Sequence, residues 1–114
     1  MITLWHNPRC SKSRQALALL KEAGAEVELR LYLKDTPDLA EIKTLRDALD
    51  LPLIKMMRTG EKAFKEAGVG KDADDDTLLK LIVANPILIE RPVAVKEDKA
   101  MIGRPPEDVL GLLA

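Results

Sequence analysis

Two short strand-like runs flank a helix-forming segment at the start of this chain, and that order leaves few ways for it to fold. Residues 1–5 (Met-Ile-Thr-Leu-Trp) are apolar and partly β-branched, and residues 27–32 (Val-Glu-Leu-Arg-Leu-Tyr) alternate apolar and polar side chains, the period of a half-buried strand. Between them Gln15-Ala16-Leu17-Ala18-Leu19-Leu20-Lys21 consists of good helix formers, with Gly24 as a C-terminal stop. A helix of that length joins parallel strands, and such crossovers are right-handed. The chain is therefore expected to open as a βαβ unit.

The same segment carries the most reactive chemistry in the sequence. Strand and helix are joined by His6-Asn7-Pro8-Arg9-Cys10-Ser11-Lys12-Ser13-Arg14, which holds the single cysteine and the single histidine of the 114 residues. A cysteine in the first turn of a helix faces backbone N–H groups with no intrahelical partner and the positive end of the helix dipole. Arg9, Lys12 and Arg14 add cations, and His6 adds a titratable imidazole. Such surroundings draw a thiol pKa from about 8.5 toward roughly 3.5–7.5. The same donors and cations suit an anion. A lone cysteine is commonly a small buried hydrophobe, but polar and charged neighbours describe a wet turn. Cys10 is thus the candidate nucleophile, with His6, Ser13 and Arg14 as groups that modulate its thiolate.

Composition narrows what this centre can serve. Eighteen Lys+Arg against 19 Asp+Glu give a net charge of −1, so no overall basic field recruits nucleic acid or an anionic membrane. No apolar run approaches the ~20 residues that span a bilayer, and the N-terminus lacks a signal-peptide pattern. One cysteine cannot form an internal disulfide, so any redox cycle needs a sulfur from another molecule, and a cytoplasmic location is expected. One cysteine and one histidine offer no structural zinc set.

The length fits one domain spanning residues 1–114. Lys34-Asp35-Thr36-Pro37-Asp38 reads as a turn and cap before a helix carrying Leu39, Ile42, Leu45 and Leu49 on one face. Short helices follow from Leu51, ending near Arg58 before Gly60, and from Glu61 to Ala67 with Phe64 inward. Asp72, Asp74, Asp75 and Asp76 are expected to cap a helix through Leu78, Leu79, Leu81, Ile82 and Val83, where carboxylates suit the positive helix end, and not to hold a metal. Residues 93–96 and 99–103 form a predicted hairpin around Glu97-Asp98, and Arg104-Pro105-Pro106-Glu107 opens a last helix. The order βαβ, helices, ββα is that of an α/β, thioredoxin-like mixed sheet of about four strands with a helical insertion. Its first and last helices are expected to cover the sheet.

The turn at residues 6–14, Leu88-Ile89-Glu90-Arg91-Pro92 and Ile102-Gly103-Arg104-Pro105-Pro106 together resemble the glutaredoxin-dependent arsenate reductase family, over nearly the whole chain and in the same order. The resemblance implies reduction of arsenate to arsenite, with arsenate or a related oxyanion as the anion bound, glutathione as co-substrate, glutaredoxin as partner and no bound cofactor. By it Cys10 is the nucleophile, Arg58, Arg91 and Arg104 hold the oxyanion, and Pro92 is a cis-proline beside the cysteine. Arg91 and Arg104 both precede proline, which favours extended or turn backbone and can present a planar guanidinium bidentately. Many members have alanine, glycine and threonine where Arg9, Ser11 and Lys12 stand here, so this turn is richer in cations. Two alternatives use the same fold: a glutathione-linked thiol oxidoreductase acting on another substrate, and a redox-responsive regulator that binds RNA polymerase. Such regulators place a second cysteine where this chain has Ser13.

Overall fold

The computed structural model describes residues 1–113, which divide into two compact units. One comprises Met1–Asp35 and the chain from Arg91 onward, and the other comprises Thr36–Glu90. The first contains the sheet. Strand β1 (Ile2–Trp5) leads through residues 6–10 to helix α1 (Ser11–Glu22) and strand β2 (Val27–Arg30). β1 and β2 are parallel, with Ile2 opposite Val27 and Trp5 opposite Arg30, as the crossover helix requires. Strands β3 (Val93–Lys96) and β4 (Lys99–Ile102) form an antiparallel hairpin, and β3 pairs antiparallel with β1. The strand order β2-β1-β3-β4 is that of the thioredoxin-like mixed sheet.

The core of this unit shows why the elements settle as they do. Ile2 and Leu4 of β1, Ala16 and Leu20 of α1, Ala94 of β3, and Val109 and Leu112 of the last segment form one buried cluster. Each large aliphatic side chain buried in full contributes roughly 1.5–3 kcal/mol. α1 ends at Glu22 with Ala23 as its C-cap, and the chain leaves it through Gly24, whose positive φ of 81° no β-carbon-bearing residue adopts readily.

Two expectations about this unit are corrected. Strand β2 stops at Arg30, not Tyr32: the amides of Lys34 and Asp35 turn back onto the Leu31 carbonyl, at 2.9 and 2.8 Å. Tyr32 is thereby carried inward, where it is fully buried and stacks on Trp5 with ring centroids 6.2 Å apart. The last segment, Pro106–Leu113, is a 3-10 helix and not an α-helix. It opens on consecutive prolines and contains Gly111, where a β-carbon would stand 2.8 Å from the Met101 sulfur; prolines and a central glycine favour the α-helix poorly.

The second unit holds helices α2 (Leu39–Leu49), α3 (Lys62–Glu66) and α4 (Asp75–Ala84) and 3-10 turns at Leu53–Met56 and Pro86–Leu88. The segment starting at Leu51 is therefore 3-10 as well. α2 begins with a capping box, Asp38 accepting from the Glu41 amide at 2.8 Å while Glu41 reaches back to the Asp38 amide. At α4 Asp74 accepts from the Thr77 amide at 2.8 Å, and the Thr77 side chain, followed by that amide, holds its carboxyl below the ordinary value. Among the described residues no helix is long and apolar enough to cross a membrane.

Candidate active site

β1 ends in a loop that the first turn of α1 gathers around itself. The His6 amide continues the β1–β2 pairing onto the Arg30 carbonyl at 2.9 Å. The Asn7 amide donates to Ser13 Oγ at 3.1 Å, the Arg9 amide to Asn7 Oδ1 at 3.1 Å, and Arg14 Nη1 to the Pro8 carbonyl at 2.8 Å. The Cys10 amide closes the turn on the Asn7 carbonyl at 3.0 Å, and the Cys10 carbonyl accepts the first helical bond, from Arg14, also at 3.0 Å. Cys10 is thus the residue that caps α1, in extended backbone conformation.

The Cys10 side chain is only 9% exposed. No side-chain hydrogen bond of ordinary geometry caps the helix there; the sulfur is served by the amides of the turn and by an arginine from the other end of the sequence. Burial alone would raise the thiol pKa. The Ser13 amide, the Arg91 side chain by hydrogen bond and by charge, and the Lys12 amide together outweigh burial and hold it below the ordinary value. The shift is toward the ionised form although the sulfur is nearly out of water.

His6 and Ser13 lie behind the turn. Both are buried, and His6 Nδ1 stands 2.6 Å from Ser13 Oγ. Burial, and then the charge of Arg14, push the imidazole pKa down, so His6 is neutral at pH 7. It brings no positive charge to the sulfur. With Ser13 it shares one hydrogen, in a direction set by the tautomer. Arg14 is exposed and tied to the Pro8 carbonyl. The side chains of these three residues brace the loop; what reaches the sulfur from among them is the Ser13 backbone amide.

Arg91 comes from the loop before β3, and the Arg91–Pro92 and Arg104–Pro105 peptide bonds are both cis. While the Arg91 side chain meets the Cys10 sulfur, its Nε and Nη1 are buried with no hydrogen-bond partner among the described residues. Buried donors of this kind are costly unless something accepts from them. Arg104 is exposed, and its Nε donates to the Arg91 carbonyl at 2.8 Å.

Arg58 belongs to the second unit. Its amide donates to the Leu88 carbonyl at 2.7 Å, and the Glu90 amide to the Met56 carbonyl at 2.8 Å, on either side of an antiparallel bridge between Met57 and Ile89. That ladder sets Arg58 diagonal to Glu90 on one face. The guanidinium pairs with Glu61 and, from Nε, with Glu90 Oε1 at 3.8 Å.

One residue of the site escaped sequence reasoning. Gly103 donates its amide to the Pro92 carbonyl at 2.8 Å, and a β-carbon on it would stand 2.8 Å from Pro92 Cγ and 3.0 Å from Val109 Cγ1. A glycine at the end of a strand signals such a close backbone approach.

Comparison with known proteins gives the family to which this sequence and fold belong. Residues 5–112 match the ArsC family. An arsenate reductase of Neisseria meningitidis is 43% identical over 98% of this chain and 97% of its own length. An arsenate reductase of Escherichia coli is 32% identical, covering 98% of this chain and 80% of its own. The solved structure of an arsenate reductase from Vibrio cholerae superposes with a TM-score of 0.93 at 40% identity, covering 96% of this chain and 95% of that one. With the match running from the end of β1 to the last 3-10 helix, the chain belongs to the ArsC family.

Proposed function

We propose that the protein is an arsenate reductase in which the Cys10 thiolate attacks the arsenic of arsenate. The observation that carries this reading is the pairing of the sulfur of the N-cap residue with Arg91, whose buried Nε and Nη1 have no acceptor among the described residues. A tetrahedral oxyanion supplies such acceptors, and a guanidinium fork matches two of its oxygens. A sulfur–arsenic bond forms and an arsenic–oxygen bond breaks, releasing hydroxide. Arg91 offsets the charge on the oxyanion and on the leaving oxygen, with Arg104 lending positive charge beside it.

Reduction needs an electron pair that a single cysteine cannot complete alone. Glutathione attacks the adduct, and a glutaredoxin thiol completes the transfer. Overall, one arsenate and two thiols give one arsenite, one disulfide and one water. No bound cofactor is required, and the thiol supply fits a reducing cytoplasm. Arg58 enters this reading only through the family resemblance, its guanidinium being engaged by Glu61 and Glu90 within its own unit.

The test is arsenite production by purified protein with arsenate, glutathione and glutaredoxin. Turnover that disappears in Cys10→Ser supports the reading. Absence of Cys10-dependent arsenite contradicts it, and glutathionylation of Cys10 reversed by glutaredoxin with arsenate inert would point to a glutathione mixed disulfide as substrate.

A further inference from the structure

Two arginines from neighbouring loops of the first unit stand in unequal positions. Arg91 has its Nε and Nη1 buried, whereas Arg104 is exposed and has turned its Nε onto the Arg91 carbonyl at 2.8 Å. Arg91 precedes β3, so its carbonyl lies outside the strand ladder and Arg104 supplies it with a donor. One residue further, the Pro92 carbonyl accepts from Gly103 at 2.8 Å, and the Gly103 backbone lies so close to the Pro92 ring that a β-carbon would stand 2.8 Å from Pro92 Cγ. The dipeptide that delivers the buried guanidinium is thus pinned at both carbonyls by two consecutive residues, Gly103 and Arg104. A guanidinium at the end of a long side chain moves further than the backbone that carries it, so slack at this carbonyl becomes misplacement at the sulfur.

We infer that Arg104 is a positioning residue for Arg91: the hydrogen bond from its Nε to the Arg91 carbonyl fixes the backbone from which the Arg91 guanidinium meets the Cys10 sulfur. This gives Arg104 a role before any anion arrives. The inference deepens the proposed function and rests on it for the identity of the anion, whereas its effect on the thiolate needs only Cys10 and Arg91.

The charged side chain that acts on Cys10 is Arg91 before β3; the other charged or titratable groups of the neighbouring segments are Arg104 after β4, His6 after β1, and Arg9, Lys12 and Arg14 on its own turn and helix. Only Arg104 is changed in the test. Arg104→Gln places an amide N–H at the same bond distance as Nε and removes the charge; Arg104→Met removes both, with Arg104→Ala as a second donor-free variant should Met perturb folding. Cys10 alkylation by iodoacetamide is followed against pH without anion, then with arsenate. Without anion the Gln variant is expected to keep the wild-type profile, because the charge acting on the thiol is that of Arg91, whereas with arsenate it is expected to need more anion for the same protection. The Met and Ala variants are expected to react roughly three- to tenfold more slowly below the thiol midpoint, as a rise of about half to one in pKa brings. Coinciding Gln and Met profiles, both shifted or both unshifted, would overturn the inference. Failure of arsenate to slow alkylation of the wild-type protein would instead count against the proposed function, leaving the Gln–Met difference to decide this one.

Discussion

Arg91 in the first unit and Arg58 in the second are both half-buried arginines near a strand-like ladder, yet their surroundings are opposite. Arg58 is matched by two carboxylates, Glu61 and Glu90, so the three side chains together carry a net negative charge. Arg91 has no carboxylate partner among the described residues; it has the Cys10 sulfur and two buried N–H-bearing nitrogens with nothing to accept from them. A cation already neutralised inside the protein ties elements together, whereas one left with unmatched donors is prepared for an external anion. Under the proposed function Arg91 is the arginine with donors left for the anion, whereas the charge of Arg58 is already met within its own unit.

The largest expected effect falls on the chemical side. Cys10→Ser should abolish arsenite formation, measured with saturating glutathione and glutaredoxin, because a hydroxyl ionises far less readily than a thiol and is the weaker nucleophile. Arg91→Lys follows: a point charge replaces the fork, and arsenite turnover should fall by about 10²–10³-fold, the range seen when one oxyanion donor is removed. If Arg91→Lys turned over normally while Arg58→Lys did not, the contrast between the two arginines would be broken.

Arg58→Met should act on stability instead, lowering it by about 1–3 kcal/mol in denaturant unfolding because Glu61 and Glu90 lose their counterion while partly shielded from water. The pH profile of Cys10 alkylation should not move. Glu90→Gln should cost less, since Glu61 still pairs with Arg58. The smallest effect concerns His6. Its folded pKa lies below the ordinary 6.5, so the neutral ring is favoured in the folded state. That contribution is present above pH 6.5 and is lost as pH falls through the folded pKa. His6→Asn, which can keep a partner for Ser13 without titrating there, should flatten the stability loss that sets in as pH falls below the ordinary imidazole value in unfolding curves.

Much of this was legible in the sequence because it is local. The β1–α1–β2 crossover and the β3–β4 hairpin follow from spacing and turn residues, and Cys10 as the helix cap follows from the polar turn set between apolar β1 and the helix formers of α1. The cis Pro92 was reached through the family resemblance of its motif. Tyr32 was misread because alternation continues through it, while the backbone bends after Arg30 to stack its ring on Trp5. The 3-10 winding of Pro106–Leu113 was hidden because its apolar spacing suits either helix. Arg58 could be named but not its state: Glu61 sits at the i+3 spacing that invites a pair, whereas Glu90 arrives through the Met57–Ile89 bridge, a contact distant in sequence. The hydrogen bond from Arg104 to Arg91 was likewise beyond sequence, since it depends on how β4 returns beside β3.

The central claim is that Cys10 is ionised beside a guanidinium with donors left for an anion. Its most direct measurement is the rate of Cys10 alkylation against pH in the wild-type protein, with and without arsenate. A midpoint below the ordinary thiol value, together with saturable slowing by arsenate that is lost in Arg91→Met, is the expected result. A midpoint at or above the ordinary value, with arsenate making no difference, would contradict it.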